Sequence, residues 1–346
     1  MVTVNARAIA GPAESFTPAT IELRDLGPHD VLIDIAYVGI CHSDVSHARS
    51  SWGETHYPLV PGHEIAGTVS AVGSAVTTFA VGDRAGVGCM VDSCRECVNC
   101  LAGQEQQCTV NHVTTYGAIG RDGRRTNGGY SEKMVVDESF ALRLPDGIPL
   151  PNTAPLLCAG ITMYSPLRHW RAGPDKRVAI LGFGGLGHMG VQLSKALGAH
   201  TTVLDLSLAK REDGLRLGAD DYRSTVDETT FTDLAESFDL IVSTVPSSVD
   251  FTPFLGLLAM DGTLVSLGVS SKPLVIEPFS LIVNRRSIAG SRIGSIAETQ
   301  EMLDFCGERG IGAQIELICP DQIDEAFDRV VAGDVKFRFV IDNSTL

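Results

Sequence analysis

The sequence lacks the features on which membrane-spanning and nucleic-acid-binding proteins depend. None of its apolar runs reaches the length that crosses a bilayer. Lys and Arg number 27 against 42 Asp and Glu, and the formal net charge of −15 would repel nucleic acid or an anionic membrane surface. Low-complexity segments and solenoid-type repeats are missing as well. We therefore expect a globular protein whose partner is a small molecule, with no nucleic acid and no membrane among its partners.

A secretion signal and an even set of cysteines are also missing. Residues 1–7 have neither the basic start nor the long apolar core of a signal peptide, so a cytoplasmic location is the expectation. Nine cysteines, an odd number, in a chain without an export signal argue against a disulfide framework. Metal binding or thiol chemistry is the better interpretation of these cysteines.

The hydrophobic pattern divides the chain into two parts of different character. Up to about residue 150, short apolar segments such as 31–38 and 65–72 are separated by Gly and Pro, which is typical of a β-rich domain. From about Ala154, apolar strands at 178–181, 201–204, 239–244, 263–268 and 287–289 alternate with helical stretches, which predicts a parallel sheet. The tail after about Ser291 can return to the first domain, which would then be discontinuous in sequence.

A glycine-rich turn joins strand 178–181 to a predicted helix at 186–197. Gly182 permits a tight turn, Gly184 lets the backbone approach a pyrophosphate, and Gly187 lets the helix pack close to the strand. The free N–H groups and positive dipole end of that helix would hold the phosphates. The next strand ends at Asp205, 18 residues after Gly187, where a carboxylate can bind ribose hydroxyls. This order of elements predicts a dinucleotide site rather than an empty turn.

Four cysteines within 15 residues form the stronger of two candidate metal sites. Cys94, Cys97, Cys100 and Cys108 offer four soft thiolates on one short loop, which can enclose a tetrahedral zinc with no open position. An iron–sulfur cluster is the main alternative, but the ferredoxin pattern places its fourth cysteine after three residues and follows it with proline. Here the gap is seven residues and Thr109 follows, so we expect a structural zinc.

The second candidate set is scattered along the chain. It consists of Cys41, the adjacent His63 and Glu64, and Cys158. Taken singly, each has an ordinary explanation as a core thiol, a loop histidine or a solvated charge. The residues alone therefore leave this set open.

With these motifs in view, the sequence resembles the zinc-dependent medium-chain alcohol dehydrogenases, specifically their cinnamyl alcohol dehydrogenase-like branch. The resemblance covers nearly the whole chain. Its motifs, besides the cysteine loop, are CHSD at 41–44, YPLVPGHE at 57–64, GGYSE at 128–132, LLCAGITMYSP at 156–166, GGLGHMG at 184–190 and QEMLDF at 300–305. The implied fold class is α/β: a β-rich GroES-like catalytic domain over 1–153 and 292–346, and a doubly wound parallel-sheet (Rossmann) cofactor domain over 154–291.

The family implies a catalytic zinc held by Cys41, His63 and Cys158, with Glu64 as an exchangeable ligand, and so two zinc ions per subunit. Such a zinc acts as a Lewis acid on an aldehyde or alkoxide oxygen while hydride passes between carbon and nicotinamide. Cys158 would come from the start of the cofactor domain, so that zinc and nicotinamide meet at the domain cleft.

Ser43 is the implied first acceptor of the alcohol proton. In similar enzymes a histidine five residues after the first cysteine ligand passes the proton to solvent, but here Ser46 holds that place and the histidine is His47. One step along a helix turns a side chain by about 100°. Either the local backbone re-aims His47, or the relay ends at Ser46 and water and His47 is a surface histidine.

The resemblance leaves the choice of cofactor to a few residues. Branch members often have a small hydroxyl residue where this chain has Asp205, and they prefer the phosphorylated cofactor. A carboxylate facing a 2′-phosphate costs about 4 kcal/mol per charge pair at 4 Å and an effective dielectric of 20, so we expect NAD to be preferred over NADP. Lys210 and Arg211 are cations that can serve a 2′-phosphate and support the alternative. The candidate cofactor-binding residues are Gly182, Gly184, Gly185, Leu186, Gly187, Asp205, Lys210 and Thr162.

Two further residues are candidates for the substrate pocket. Trp52 aligns with a pocket-wall position and would favour flat or aromatic substrates, with core packing as the alternative. Arg292 lies near a position that is often apolar in related enzymes. Pointing inward it would bind a carboxylate or polar group, and pointing outward it would snorkel or pair. The remaining Cys89, Cys306 and Cys319 are interpreted as buried thiols.

The predicted function is a zinc-dependent alcohol dehydrogenase, working largely as an aldehyde reductase on primary, aromatic or allylic substrates. Reduction of a conjugated alkene or iminium within the same branch is the alternative, motivated by the displaced histidine. A non-enzymatic cofactor-sensing or zinc-storing protein is disfavoured, because every ligand position is filled. The family also implies a homodimer formed through the cofactor domain.

Overall fold

The computed structural model describes residues 2–245, 249–269 and 272–346. Its contacts group the chain into two compact units. The first unit comprises Met1–Ile161 and Gly294–Leu346, and the second unit comprises Thr162–Ile293. The second unit thus begins at Thr162 rather than at 154, and Cys158 lies in the first unit rather than at the start of the cofactor domain. The reason is local packing, because Leu157 lies against the glycines of a first-unit strand, where a Cβ on Gly86 would come within 2.8 Å of its Cδ1.

Strands and helices follow in chain order over the described residues. The strands are β1 (Val2–Ala8), β2 (Thr17–Leu23), β3 (Asp30–Gly39), β4 (Ile65–Val72), β5 (Arg84–Val87), β6 (Met90–Asp92), β7 (Val113–Thr114), β8 (Lys133–Asp137), β9 (Leu142–Arg143), β10 (Arg177–Leu181), β11 (His200–Asp205), β12 (Asp221–Ser224), β13 (Phe238–Ser243), β14 (Leu258–Ser266), β15 (Ser287–Gly290), β16 (Ile315–Ile318) and β17 (Arg338–Asp342). The helices are α1 (His42–Ala48), α2 (Val98–Leu101), α3 (Leu150–Thr153), α4 (Ala159–His169), α5 (Gly187–Ala196), α6 (Arg211–Arg216), α7 (Thr229–Asp233), α8 (Thr252–Leu255), α9 (Pro278–Ile282), α10 (Ile296–Arg309) and α11 (Ile323–Ala332).

The first unit is built on a mainly antiparallel sheet with the strand order β16-β17-β3-β4-β5-β9, and β8 pairs with β3. β3 runs through its centre, and the buried side chains of Val31, Ile33 and Ile35 alternate along it with less buried ones, as one core-facing side of a strand requires. β3 and β4 are antiparallel, with Val38 opposite Ile65. The residues that follow β3 and those that precede β4 therefore lie side by side.

The second unit contains the predicted parallel sheet, with the order β12-β11-β10-β13-β14-β15. β10 is apolar and buried from Val178 onward because both faces of a doubly wound sheet are covered by helices. The chain begins the sheet at β10, proceeds outward to β12 and then continues on the other side from β13. This order leaves a crevice between β10 and β13 at the carboxyl ends of the strands, where ligands bind in such folds.

One strand of this sheet is not predictable from the hydrophobic pattern. β12 reads Asp-Tyr-Arg-Ser, and Tyr222 is the single buried side chain among its four residues. β12 lies at the edge of the sheet beside β11, and Tyr222 is the side chain by which it packs against the core. Among the described residues, no helix combines the length and apolar character needed to cross a bilayer.

Candidate metal and cofactor sites

Cys41 is positioned by the end of β3 and the start of α1. It has extended backbone angles as the residue that caps α1, and its N–H donates to Oδ2 of Asp44 at 2.8 Å. The preceding residue, Ile40, donates its N–H to the carbonyl of Phe339 on β17 at 2.9 Å. The Cys41 thiol is therefore held by the sheet and by the helix N-terminus together.

The ring of His63 is held by the same Asp44 carboxylate that binds the N–H of Cys41. Oδ1 of the fully buried Asp44 accepts from Nδ1 of His63 at 3.0 Å and from the N–H of Gly62 at 3.1 Å. With Nδ1 engaged, Nε2 remains as the nitrogen that can bind a metal, which is the usual arrangement of a metal-ligating histidine.

Cys158 completes the scattered set. One donor atom from each of Cys41, His63, Glu64 and Cys158 lies within 4.8 Å of every other, and all four residues are buried. The Sγ atoms of Cys41 and Cys158 are 3.8 Å apart. A tetrahedral zinc with Zn–S bonds of about 2.3 Å places its sulfurs about 3.8 Å apart, so the two thiols have the spacing that zinc requires.

The carboxylate of Glu64 fits the same group. Both of its oxygens are buried and accept no hydrogen bond within the described residues. Nη2 of Arg338, on β17, lies 3.0 Å from Oε1, but without the orientation of a hydrogen bond, so the attraction is electrostatic. An unsatisfied buried carboxylate is costly, and a metal ion is a partner that would satisfy it.

The protonation states of these four residues depend on one another. The pKa of Cys41 is well below its usual value because Cys158 donates a hydrogen bond to it, and the pKa of Cys158 is raised by the same contact. Burial raises the pKa of Glu64 to about 8, although Arg338 opposes the shift. For His63, burial lowers the pKa, but the Asp44 carboxylate raises it well above the usual value overall. Four buried ionisable groups whose donor atoms lie within 4.8 Å of one another are typical of a functional site, and this donor set suits a cation.

The four clustered cysteines lie on the loop between β6 and β7. The Sγ atoms of Cys94, Cys97, Cys100 and Cys108 all lie within 4.8 Å of one another, and those of Cys94 and Cys100 are 3.8 Å apart. The N–H of Cys97 donates to the Cys94 sulfur at 3.3 Å, and that of Cys100 to the Cys97 sulfur at 3.5 Å. The Cys100 N–H lowers the pKa of Cys97 to about 5, which favours the thiolate that a metal binds.

The two relay candidates share one face of α1, four residues apart. Oγ of Ser43 lies 3.6 Å from the Cys41 sulfur. His47 is half-buried, its Nδ1 is 3.1 Å from the hydroxyl of Tyr116, and burial lowers its pKa. Ser46 is 5% exposed, so the helix turns His47, and not Ser46, toward the more open side.

The pocket candidates lie in different units. Trp52 is 46% exposed, so core packing does not explain it, and its ring meets that of His47 edge-on with centroids 5.3 Å apart. Arg292 lies in the second unit and is exposed, which corresponds to the outward alternative.

The glycine turn has the geometry that a dinucleotide needs. Gly182 has a φ of +91°, a conformation that side chains disfavour, and it closes the turn after β10. A Cβ on Gly187 would lie 2.0 Å from the carbonyl oxygen of Gly182, so only glycine lets α5 start this close to the strand. A Cβ on Gly184 would meet nothing within 4 Å, which leaves space for a ligand at the backbone. These three positions fit a pyrophosphate at the N-terminus of α5.

Asp205 ends β11, the strand beside β10. Its Oδ1 accepts from the N–H of Leu206 at 2.8 Å, and its Oδ2 accepts from the hydroxyl of Tyr222 at 3.1 Å. Lys210 precedes α6 and Thr162 lies in α4, and both are half-buried. The structure therefore places the ribose candidate and the phosphate turn at the ends of neighbouring strands.

Two residues that shape the scattered metal set, Asp44 and Arg338, are not among the candidates predicted from the sequence. Asp44 follows Cys41 by three residues and could have been found as a carboxylate partner of a metal-ligating histidine. Arg338 belongs to the C-terminal tail, and nothing in its local sequence points to Glu64. The interpretation of the spare cysteines is wrong for Cys319, which is exposed, and for Cys89, which is half-buried. Cys319 is exposed because it caps a short helical turn at the surface, while Cys306 is buried in α10.

Both units match known protein families. Residues 27–146 match the model of the alcohol dehydrogenase GroES-like domain, and residues 185–308 match that of the zinc-binding dehydrogenases. Over 346 residues, 100% of both chains, the sequence is 58% identical to NADP-dependent alcohol dehydrogenase C of Mycobacterium tuberculosis.

Solved structures give the same result. A cinnamyl alcohol dehydrogenase from Sorghum bicolor is similar with a TM-score of 0.95 and 39% identity, over 99% of this chain and 98% of the other. The corresponding enzyme of Helicobacter pylori, complexed with NADP(H), is similar with a TM-score of 0.93 and 40% identity, over 99% of both chains. The β-rich GroES-like and parallel-sheet fold class is thus confirmed, and the chain belongs to the zinc-dependent medium-chain alcohol dehydrogenases, in their cinnamyl alcohol dehydrogenase-like branch.

Proposed function

We propose that the protein is a zinc-dependent alcohol dehydrogenase that works largely as an aldehyde reductase on primary substrates, with a nicotinamide cofactor. The observation that carries this proposal is the buried set of Cys41, His63, Glu64 and Cys158. Two thiols, an imidazole and a carboxylate that receives no hydrogen bond from the described residues are the donor set of a catalytic zinc with one exchangeable position.

We assign a second, structural zinc to the cysteine loop. Its four sulfurs form a closed set, which leaves no position for a substrate. In an iron–sulfur cluster, by contrast, the cysteines are distributed over several irons, and the sulfurs diverge from one another. The mutual distances within 4.8 Å support a single ion.

The protein's own residues have distinct tasks in this proposal. A catalytic zinc supplies Lewis-acid polarisation of the substrate oxygen. Asp44 fixes the ring of His63 so that Nε2 is the donor atom, and Arg338 compensates the charge of Glu64 beside two thiols. Ser43 accepts the proton of an alcohol during oxidation, and His47, on the same face of α1, passes it on to solvent.

The substrates are aromatic or allylic in this proposal. The exposed indole of Trp52, whose ring meets that of His47 edge-on, offers a flat apolar surface to an aromatic ring. Similarity to cinnamyl alcohol dehydrogenases of Sorghum bicolor and Helicobacter pylori supports the same class.

Two observations oppose each other on the cofactor. Asp205 at the end of β11 repels a 2′-phosphate and supports NAD. The similar enzymes of Mycobacterium tuberculosis and Helicobacter pylori are named for, or solved with, the phosphorylated cofactor, and Lys210 and Arg211 provide cations for it. We retain NAD as the prediction, because the charge of Asp205 belongs to this chain itself. Binding constants for NADH and NADPH decide the point.

A homodimer through the second unit, in the cytoplasm, completes the proposal. On and before α9, apolar side chains are exposed, with Val275 at 81%, Phe279 at 68% and Ile282 at 66%. β15 ends the sheet order and pairs with β14 alone over the described residues. A sheet edge and an exposed apolar surface are both features that pairing with a second copy of the chain would cover.

The test is turnover by the zinc-loaded protein with NADH and with NADPH. Cinnamaldehyde is compared with a conjugated iminium and a conjugated alkene as substrates. We expect reduction of the aldehyde to dominate. Reduction of the iminium or alkene without aldehyde turnover would favour the alternative within the branch, and tight cofactor binding without any turnover would favour a binding protein.

A further inference from the structure

Tyr222 contacts Asp205, the carboxylate assigned to the ribose. Its hydroxyl donates to Oδ2 of Asp205 at 3.1 Å, while Oδ1 of the same carboxylate accepts from the N–H of Leu206 at 2.8 Å. Each oxygen of Asp205 therefore has one donor from the protein, and a carboxylate has further lone pairs for ligand hydroxyls. The Leu206 N–H and the Tyr222 hydroxyl each bind a different oxygen and together fix the orientation of the carboxylate.

Tyr222 is itself held rigidly. The residue is 2% exposed, and its ring meets that of Phe183 edge-on, with centroids 5.6 Å apart. Phe183 lies inside the glycine turn, between Gly182 and Gly184. On another side the ring touches Gly214 of α6, where a Cβ would lie 2.6 Å from Cδ2 of the tyrosine. One side chain thus connects the phosphate turn, α6 and the carboxylate of Asp205.

The hydroxyl acts as a donor. Burial, together with the adjacent Asp205 charge, raises the pKa of Tyr222 far above its usual value, so the phenol keeps its proton. A neutral donor stabilises the ionised carboxylate without cancelling its charge. Asp205 therefore keeps the negative charge that repels a 2′-phosphate, and the hydrogen bond prevents its side chain from rotating away.

We propose that Tyr222 is a specificity-determining positioning residue, which holds Asp205 in place so that the site discriminates against the 2′-phosphate of NADP. The inference rests on the proposed function, because it requires that a nicotinamide dinucleotide binds at the glycine turn. Without the hydroxyl, Asp205 can turn toward solvent, and a 2′-phosphate then meets a weaker repulsion at greater distance. The proposal concerns the ratio of the two affinities, so it holds whichever cofactor binds more tightly.

The test measures dissociation constants of NADH and NADPH by nicotinamide fluorescence, without catalysis. For Tyr222→Phe, which keeps the ring and its packing, we expect the ratio Kd(NADPH)/Kd(NADH) to fall roughly three- to tenfold. Asp205→Ser should lower the ratio further, and adding Tyr222→Phe to Asp205→Ser should then change nothing, because the tyrosine acts through the carboxylate. Gly214→Ala offers an independent route, since its methyl group displaces the ring while leaving both residues unchanged.

Ser224→Ala is the matched control. This residue lies on the same strand, but its hydroxyl bonds the carbonyl of Leu206 at 3.0 Å instead of the carboxylate, so the ratio should stay as in the wild type. An unchanged ratio in both Tyr222→Phe and Gly214→Ala, or an equal fall in the Asp205→Ser background, would overturn the inference. A wild-type protein that binds neither NADH nor NADPH would instead overturn the proposed function.

Discussion

Glu64 and Arg338 form an ion pair in the interior of the first unit, with 3.0 Å between Oε1 and Nη2. The side chain of Glu64 is 0% exposed and that of Arg338 is 7% exposed, so water does not screen the pair. The two residues are far apart in the sequence, one just before β4 and one on β17. Their pairing links the C-terminal strand to the candidate metal site.

Replacing Arg338 by Met should therefore destabilise the protein strongly. Removing one partner of a buried pair costs about 3–5 kcal/mol. Burial raises the pKa of Glu64 to about 8 even with Arg338 present, so without the arginine the carboxyl takes up a proton at neutral pH and stays buried without its partner. Thermal unfolding of the metal-free and the zinc-loaded protein measures the effect, and Arg338→Met combined with Glu64→Gln should recover part of the loss because the site then holds no ionisable carboxyl. The matched control is Arg329→Met, since the pair of Arg329 with Glu316 is one-third exposed and screened by solvent, so its loss should destabilise the protein far less. Equal losses for the two arginine variants would contradict the buried-pair argument.

The second prediction concerns metal content. We expect two zinc ions per subunit of the wild type, one in each four-residue cluster. Cys158→Ala should remove about one equivalent and abolish aldehyde reduction, because a catalytic zinc loses one of its thiolates. Cys100→Ala should remove the other equivalent and lower the thermal stability of the cysteine loop, because a structural zinc contributes directly to folding.

Elemental analysis of the purified proteins is the measurement. Cys306→Ala is the control, since this thiol is fully buried, lies beside the sulfur of Met302 and belongs to neither cluster, so both ions should remain. A wild type with a single ion, or a Cys158→Ala variant that keeps two, would contradict the assignment of the scattered set.

In the second unit the sequence predicts the glycine turn but not the strand that carries Tyr222. The roles of Gly182, Gly184 and Gly187 can be predicted in advance, because a turn, an open approach and a close packing contact each demand glycine at a fixed offset from a strand. β12 cannot be predicted, since one buried tyrosine in four residues gives no periodicity. Its omission also hides Tyr222, which bonds the very carboxylate that the motif identifies.

The scattered metal set illustrates a different limit. Cys41 and His63 come together because β3 and β4 pair antiparallel, so that the end of one strand meets the start of the next. Spacing alone does not contain this information, and the resemblance to a family was needed to group the ligands. Arg338 shows the limit most clearly, since its partner lies in a distant part of the chain and strand pairing at β17 alone brings it there.

The third prediction concerns the exposed apolar surface of α9. Phe279→Asp should convert the protein to a monomer in sedimentation velocity experiments, because a charge placed in the centre of an apolar interface is left without a partner. Val81→Asp is the control, since Val81 is 64% exposed in the first unit, outside the surface assigned to the dimer. A monomeric wild type, or an unchanged dimer for Phe279→Asp, would show that this surface does not join two copies.

The last prediction concerns the proton path through His47. As the last acceptor in alcohol oxidation, its imidazole must be neutral, and burial lowers its pKa below the usual 6.5. A lowered pKa extends the neutral form to lower pH, so the acid-side fall in kcat for oxidation should lie at a lower pH than an unperturbed imidazole would give. His47→Gln should remove this inflection and lower kcat on the order of 100-fold.

Tyr116→Phe tests whether His47 depends on its orientation, because it removes the hydroxyl that lies 3.1 Å from Nδ1 while leaving the imidazole in place. We expect a smaller loss of kcat than for His47→Gln, with the inflection retained. His56→Gln, which replaces an exposed histidine, is the control and should leave the profile unchanged. If the acid inflection persists in His47→Gln, the proton leaves by Ser46 and water, and His47 serves only as a neighbour of Trp52.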